Sequence, residues 1–439
     1  MDKKTSLIKM NQRNHPLRIG IIGMGGFAGA HHSAIYELEK RNLAKLVCTC
    51  DIHPENFKKQ IQELNMEKRG VKIFNNYINM LDEFKDILQM VTIPAPIHLH
   101  AEMHRECVNR KLPVYLEKPP TLDYFELLQM IETEKKAIKN TNVGFNYIVQ
   151  DLRQDLKRRI IQGEFGEIKK ITFTGLWPRY PSYFKRSQWA GRLIIDNKIV
   201  LDSCFGNALS HFIHNILFWC GKKNLFSWDP VKIVHAELYR AHQIQSTDTV
   251  FVSASTENVR DIRIILTHAC AKKTPDIEKI YCSDAEIVFE GNKSNNGKTF
   301  AESTIEWKDG KIERKQQENQ NLVISNIQRY IDYLSGKENR PLTKIDDCIP
   351  FVMFNDLIYI AAEDIACIPE QYLEYIDAGE GEKFIAIKNI ESIAEEFIER
   401  KKFPSEQKIP WAHKGGVAKN TDITRLNTVI QSLVEKAQN

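Results

Sequence analysis

Arg18 to His31 reads R-I-G-I-I-G-M-G-G-F-A-G-A-H, and this stretch sets the architecture of the N-terminal part of the chain. Arg18 to Ile22 is a short apolar run of strand type. It breaks into Gly23-x-Gly25-x-x-Ala28, and a helical pattern follows through Leu38. Strand, glycine turn and helix in that order meet the needs of a pyrophosphate site. Gly23 permits the tight turn, Gly25 lets backbone approach without a Cβ in the way, and Ala28 lets helix and strand pack closely. Gly26 and Phe27 lie in the same turn, where the first N–H groups of the helix and its positive end face the phosphates. A second strand-like run, Lys45 to Cys50, ends in Asp51, whose carboxylate can accept hydrogen bonds from an adenosine ribose. That carboxylate repels a 2′-phosphate, so NAD is expected as cofactor in preference to NADP. An ordinary glycine-rich turn followed by an exposed acid is the plainer alternative, and the coincidence of strand, turn, helix and acid argues against it.

Outward from this stretch the alternation continues. Helices are expected at Pro54 to Leu64, Tyr77 to Phe84, His98 to Arg110 and Tyr124 to Lys139. They alternate with strands near Lys72 to Phe74, Leu88 to Ile93, Val114 to Leu116 and Val143 to Phe145, which means βαβ units and a mostly parallel sheet. A ligand then lies at the carboxyl ends of the strands. Past Tyr147 the pattern changes. A helix at Leu152 to Gln162 and a strand at Ile168 to Gly175 lead to a loop from Trp177 to Arg192 and a helix from Asn207 to Trp219. Alternating or β-rich runs at 231–239, 248–256, 261–269, 278–289, 303–307 and 311–315 then read as an antiparallel meander. Helices return at Leu322 to Leu334 and Pro350 to Ala366. The expected division is a polar tail at 1–15, a dinucleotide-binding domain at 16–146, a second α/β domain at 147–379 and a C-terminal helical extension at 380–439.

The chain has 439 residues, 42% hydrophobic and 27% charged, which suits a globular protein with ample core. The net charge of +4 is spread along it, with no dense basic stripe interleaved with aromatics, so no nucleic-acid partner is expected. Met1 to Pro16 lacks the apolar segment of a secretory signal, and the apolar stretch at Ala208 to Cys220 is broken by His211, His214 and Asn215. A cytoplasmic protein without a membrane partner is expected. Its nine cysteines, scattered and odd in number, read as reduced core thiols.

Three further groups carry chemistry. Glu117-Lys118-Pro119 closes a predicted parallel strand, where the Lys118 ammonium can bond a substrate oxygen and stabilise alkoxide charge; alone, it would read as a solvated strand-end charge. Asn207 and His211 are four apart on a predicted helix, with His214 near the same face. A histidine titrating near neutrality can take a hydroxyl proton while hydride leaves the carbon, and a hydrogen-bonded histidine at a domain interface is the plainer reading. No further donors support a metal at His211-x-x-His214, so none is expected. Pro96, His100 and His104 follow the fourth predicted strand, and both histidines are expected at the helix surface or the cofactor rim. The Trp177 to Arg192 loop, W-P-R-Y-P-S-Y-F-K-R-S-Q-W-A-G-R, offers aromatic faces and fork donors to a sugar through Arg179, Tyr183 and Trp189; an interface rim has the same composition.

Gly23-x-Gly25-x-x-Ala28 with His31, Ala95-Pro96-x-x-x-His100, Glu117-Lys118-Pro119, Gly163-x-x-Gly166-x-Ile168 and the Asn207 to His211 segment together resemble the Gfo/Idh/MocA family of NAD(P)-dependent oxidoreductases, over roughly Leu17 to Ala366. The resemblance implies an α/β protein with an N-terminal Rossmann domain and a C-terminal α/β domain whose open, mostly antiparallel sheet joins subunits, as a homodimer or homotetramer. It implies hydride transfer between NAD and a secondary hydroxyl of a sugar, cyclitol or derivative. Lys118 would contact cofactor and substrate, Pro96, His100 and Glu117 would join the cofactor site, and His211 would move the proton. The family pattern has Asp where this chain has Asn207, and often Asn where it has Ile97. Asn207 can orient His211 or a hydroxyl but cannot raise the imidazole's basicity as a carboxylate would. Asp202, five residues earlier, is a candidate for the missing charge. Two other functions share these residues: a redox-neutral NAD-dependent glycosidase, and a dinucleotide-binding sensor without turnover.

Overall fold

A computed structural model describes residues 15–377, 379 and 381–438, so all but His15 of the expected polar tail lies outside the described residues. The chain forms two compact units. The first holds residues up to Pro120, Leu128–Val149 and Gln320–Ile345; the second holds Thr121–Leu127, Gln150–Asn319 and the chain from Asp346 onward.

The first unit is a six-stranded sheet of β1 (Leu17–Ile22), β2 (Ala44–Cys50), β3 (Lys72–Phe74), β4 (Met90–Ile93), β5 (Val114–Leu116) and β6 (Asn142–Val143). All neighbours are parallel and the order is β3-β2-β1-β4-β5-β6. This is the doubly wound order in which ligands bind where the chain reverses direction, here outside the carboxyl ends of β1 and β4. Burial on both faces explains why β1 reads as a continuous apolar run: Ile19 and Ile21 are both fully buried. They share a core with Ile35 and Leu38 of helix Ala28–Lys40 and with Ile327, Tyr330 and Leu334 of helix Leu322–Leu334. The unit therefore draws a late segment back into it, beyond the boundary at 146 that local patterning suggests.

The second unit is built on a ten-stranded sheet. β7 (Ile168–Leu176) is followed by a two-stranded turn of β8 (Ile194–Ile195) and β9 (Lys198–Ile199). Then come β10 (Val231–Arg240), β11 (Thr249–Thr256), β12 (Asp261–Thr267), β13 (Ile277–Cys282), β14 (Ala285–Asn295), β15 (Lys298–Trp307) and β16 (Ile312–Glu318). β17 (Ala366–Cys367) joins its edge, β18 (Leu373–Asp377) and β19 (Lys383–Ile387) pair with each other, and β20 (Val417–Lys419) pairs with β10. The order is β16-β15-β14-β13-β7-β12-β11-β10-β17, mostly antiparallel as expected, so the α/β fold class holds in both units. The run at 278–289 is two strands, because Ser283 and Asp284 turn the chain between β13 and β14. β7 lies at the centre and runs parallel to β12, since the chain leaves β7 for helix Ser210–Cys220 before returning.

The segment after Glu380 is more than helical. Helices Ile390–Arg400 and Leu426–Gln438 are present, but β19 and β20 are strands. Gly415 allows the approach of β20 to β10: a Cβ there would lie 1.8 Å from the Ala236 carbonyl oxygen. Among the described residues no helix is long and apolar enough to cross a membrane. All nine cysteines are free thiols; Cys282 is half-buried and Cys367 exposed, so those two correct the expectation of core thiols throughout.

Candidate active site

In the first unit the cradle is made of backbone. Gly23 has φ of +121°, donates its N–H to the Cys50 carbonyl at 2.7 Å, and a Cβ on it would stand 3.0 Å from the Pro94 carbonyl oxygen. The turn is thus wedged between the ends of β2 and β4, where only glycine fits. Gly26 also lies in the left-handed region, at +57°. Gly25 differs, since a Cβ on it would meet only the tip of the Phe57 ring, at 3.2 Å. The fold does not demand that glycine; close approach of a ligand would. Helix Ala28–Lys40 has no side-chain cap, and among the described residues no acceptor takes the N–H groups of Gly25, Gly26 and Phe27. Asp51 sits beside them, accepting from Met24 N at 3.0 Å and His53 N at 3.1 Å. A carboxylate has about four acceptor sites, so Asp51 retains capacity for a diol. Unsatisfied N–H groups for a pyrophosphate and a fixed acid for a ribose fit a dinucleotide.

Beneath the cradle lies a polar scaffold. His31 meets Glu117 at 2.8 Å, the other Glu117 oxygen accepts the Lys118 N–H at 3.1 Å, and Gly144 leaves the room this carboxylate needs. His100 bonds the carbonyls of Ala95 and Pro119, at 2.8 and 2.9 Å, joining the loops after β4 and β5. Burial lowers its pKa, against the pull of the two carbonyls and of Glu117. His100 and Glu117 are 1% and 5% exposed, so His100 is not at the helix surface; both brace the loops that carry Pro96 and Lys118. His104 is likewise buried, between Glu134 at 2.9 Å and Thr141 at 3.2 Å, and not at the helix surface. Pro96 and Lys118 are half-buried.

In the second unit the Asn207 segment departs from a regular helix. Ser203 caps a wide π-type turn, Cys204–Ala208, by accepting from Gly206 N at 2.9 Å, and the α-helix starts only at Ser210. Asn207 is therefore on the turn and His211 in the first turn of the helix, both half-buried. His214 does not share an open face with them: it is fully buried against Trp228, and burial holds its pKa well below the usual value. Asp202 does reach Asn207, at 2.7 Å. The Trp177 to Arg192 loop packs on itself, with Arg179 over Trp177 and Tyr183, and Arg186 over Tyr183 and Trp189. Burial, with the Asp202 charge, raises the Tyr183 pKa.

Sequence reasoning missed the groups whose partners are remote. Arg153 and Glu278 form a fully buried two-point ion pair at 2.7 and 3.0 Å, which also takes Asn215 and Trp219 from the polar side of helix Ser210–Cys220. His242 meets Asp248 at 2.8 Å. Burial pushes the Asp248 carboxyl up, but the bonds from His242 and Thr249 outweigh it and hold the pKa low. His242 also borders a cleft of about 600 Å³ together with Phe184, Gly191, Arg192, Arg240 and Gln245. The cleft thus adjoins the aromatic and arginine loop.

Residues 17–145 match the model of an oxidoreductase family with an NAD-binding Rossmann fold, GFO_IDH_MocA. The chain is 30% identical to glucose-6-phosphate 3-dehydrogenase of Bacillus subtilis over 154 residues, 35% of this chain and 41% of that protein. It is 27% identical to D-glucoside 3-dehydrogenase of Escherichia coli over 169 residues, 38% of this chain and 46% of that protein. The matches span less than half the length of these curated relatives. The fold is like that of the WlbA dehydrogenase from Bordetella pertussis solved with NADH and UDP-GlcNAcA, with a TM-score of 0.62 and 20% identity over 79% of this chain and 96% of that one. Glycine turn, sheet order and family match agree that residues 17–145 form an NAD-binding Rossmann domain of the Gfo/Idh/MocA oxidoreductase type.

Proposed function

We propose that this protein is an NAD-dependent dehydrogenase acting on a secondary hydroxyl of a sugar, cyclitol or related polyol. The observation that carries the proposal is the cradle: three backbone N–H groups without an acceptor among the described residues, beside an aspartate fixed by two others. Gly23, Gly25, Gly26, Phe27 and Ala28 would hold the pyrophosphate, and Asp51 the adenosine ribose. Asp51 favours NAD over NADP, since its charge opposes a 2′-phosphate. The bound nicotinamide supplies a hydride acceptor. Lys118 binds the reacting oxygen and stabilises its developing negative charge. His211 takes its proton in oxidation and returns it in reduction. Asn207 holds a neighbouring hydroxyl, and Arg179, Tyr183 and Trp189 contribute to sugar recognition through the self-packed loop. The second sheet would join subunits in a dimer or tetramer, and the free thiols suit a cytoplasmic location.

The test is reduced-nicotinamide absorbance with NAD and a panel of sugars, cyclitols, sugar acids and aryl glycosides. Net NADH is expected with one polyol class; aglycone release without net NADH would replace the dehydrogenase by a redox-neutral glycosidase. Lys118→Ala should lower turnover by about 10²–10³-fold while NADH affinity stays within about threefold. An unchanged rate would remove Lys118 from the mechanism.

A further inference from the structure

In the second unit Asp202 is 3% exposed. Its carboxylate accepts from Asn207 Nδ2 at 2.7 Å, from the Gly191 N–H at 2.7 Å and from Arg186 Nη2 at 3.3 Å. An ionised carboxylate only accepts, so the amide nitrogen of Asn207 must face it and the amide oxygen must lie on the opposite side. Position 207 thus presents an acceptor oxygen in one orientation, polarised by a full charge behind it. We propose that Asp202 is a positioning residue of the dehydrogenase proposed above: from five residues earlier in the chain it sets a charge against the amide of residue 207, and makes Asn207 a directed acceptor for a donating hydroxyl of the substrate.

The same carboxylate sets the loop. Arg186 and Gly191 lie towards either end of the segment that carries Trp189, and the Arg186 guanidinium rests 3.9 Å from the Tyr183 ring centroid and 4.9 Å from that of Trp189. One buried charge therefore fixes the acceptor at 207 and the aromatic loop together. Ionisable groups around Asp202 include Arg186, Tyr183, Cys204 and Tyr359, and Tyr359 bonds Ser203 and Ser246.

The test is an exchange of the two side chains. Asp202→Asn removes the charge and leaves two amides that can pair either way round; kcat/KM should fall about tenfold to a hundredfold, the range of a lost charged hydrogen bond. Asn207→Asp sets two carboxylates at contact distance, so one must hold a proton and the pH–rate profile should gain a step above the ordinary carboxylate range. The double exchange Asp202→Asn/Asn207→Asp restores one carboxylate facing one amide. It should return kcat/KM to within about threefold of the original and remove the extra step, a rescue that near-additive structural damage would not give. Wild-type kinetics in folded Asp202→Asn, or a double exchange as impaired as its worse single variant, would overturn the proposal. Should the original protein oxidise no sugar, the dehydrogenase reading fails by itself. Titration of ¹³C-labelled aspartates then decides the pairing without turnover: a high-titrating carboxyl is expected in Asn207→Asp and not in the exchange, and its absence from Asn207→Asp would overturn the pairing.

Discussion

The cradle of the first unit and the Asp202 network of the second, both proposed above as ligand sites, hold their geometry by opposite means. Between Gly23 and Ala28 the working groups are backbone N–H donors, and the sequence contributes by leaving side chains out. Around Asp202 the working groups are a carboxylate, an amide and a guanidinium contributed by Arg186, Asp202 and Asn207. A site made of backbone tolerates almost no change of residue type, because each position is defined by the absence of a Cβ or by a φ that only glycine adopts freely. A site made of side chains can carry its charge at more than one chain position, since what counts is where the group lies in space, as Asp202 beside Asn207 shows.

The largest effect that would sharpen this contrast is at Gly23. A valine there must fit a Cβ 3.0 Å from the Pro94 carbonyl at a φ of +121°, so the turn must move. Gly23→Val should weaken NADH binding at least a hundredfold, about 3 kcal/mol, and also lower the unfolding temperature. Gly25→Ala should weaken NADH comparably while stability stays put, because its Cβ meets only the movable Phe57 ring. Fluorescence titration of NADH beside thermal unfolding reads both quantities. Equal stability losses in the two variants would break the distinction between a glycine the fold needs and one the ligand needs.

Next in size is Asp51, the carboxylate beside the cradle. Asp51→Ala removes an acceptor held by Met24 N and His53 N, and should cost NADH about 2–3 kcal/mol of binding. NADPH, freed from repulsion, should lose much less, so the ratio of the two dissociation constants approaches one. A ratio that stays at its original value would remove Asp51 from cofactor choice.

Legibility in the sequence follows the same division. The β1 turn could be read because strand, glycines and helix are contiguous and each has a local physical reason. The strands of the second sheet were legible as β-rich runs, but not the central place of β7, which depends on pairing with β12 and β13 far along the chain. The Asn207 segment reads as helix from its apolar spacing, yet Ser203 caps an earlier, wider turn and delays the helix to Ser210. Burial of His100 and Glu117 was hidden because a polar residue after a strand end looks the same whether it lines a cleft or ties two loops beneath it. The Arg153–Glu278 pair leaves no local trace at all.

Two histidines give the smallest effect and set the two units side by side. His32 donates Nε2–H to the Gly23 carbonyl at 3.2 Å, and His268 donates Nδ1–H to the Trp177 carbonyl at 2.8 Å. In each the other ring nitrogen is buried with no hydrogen-bond partner among the described residues. A second proton would have no acceptor, and burial lowers the pKa of His32 from 6.5 to about 4 and that of His268 to about 3. The unfolded chain takes up protons near 6.5 that the folded chain refuses, so stability from each histidine is complete above that value and is lost as pH falls towards the folded pKa. From pH 7 to 5 the loss is about 2 kcal/mol per histidine. His32→Gln and His268→Asn keep a donor near the position of the original N–H, and each should flatten the pH dependence of unfolding by about one proton. Only His32 touches the glycine turn. NADH affinity should therefore fall below pH 5 in the original protein and in His268→Asn, and stay level in His32→Gln. A parallel fall in all three would mean that acid acts on the cradle through some other group.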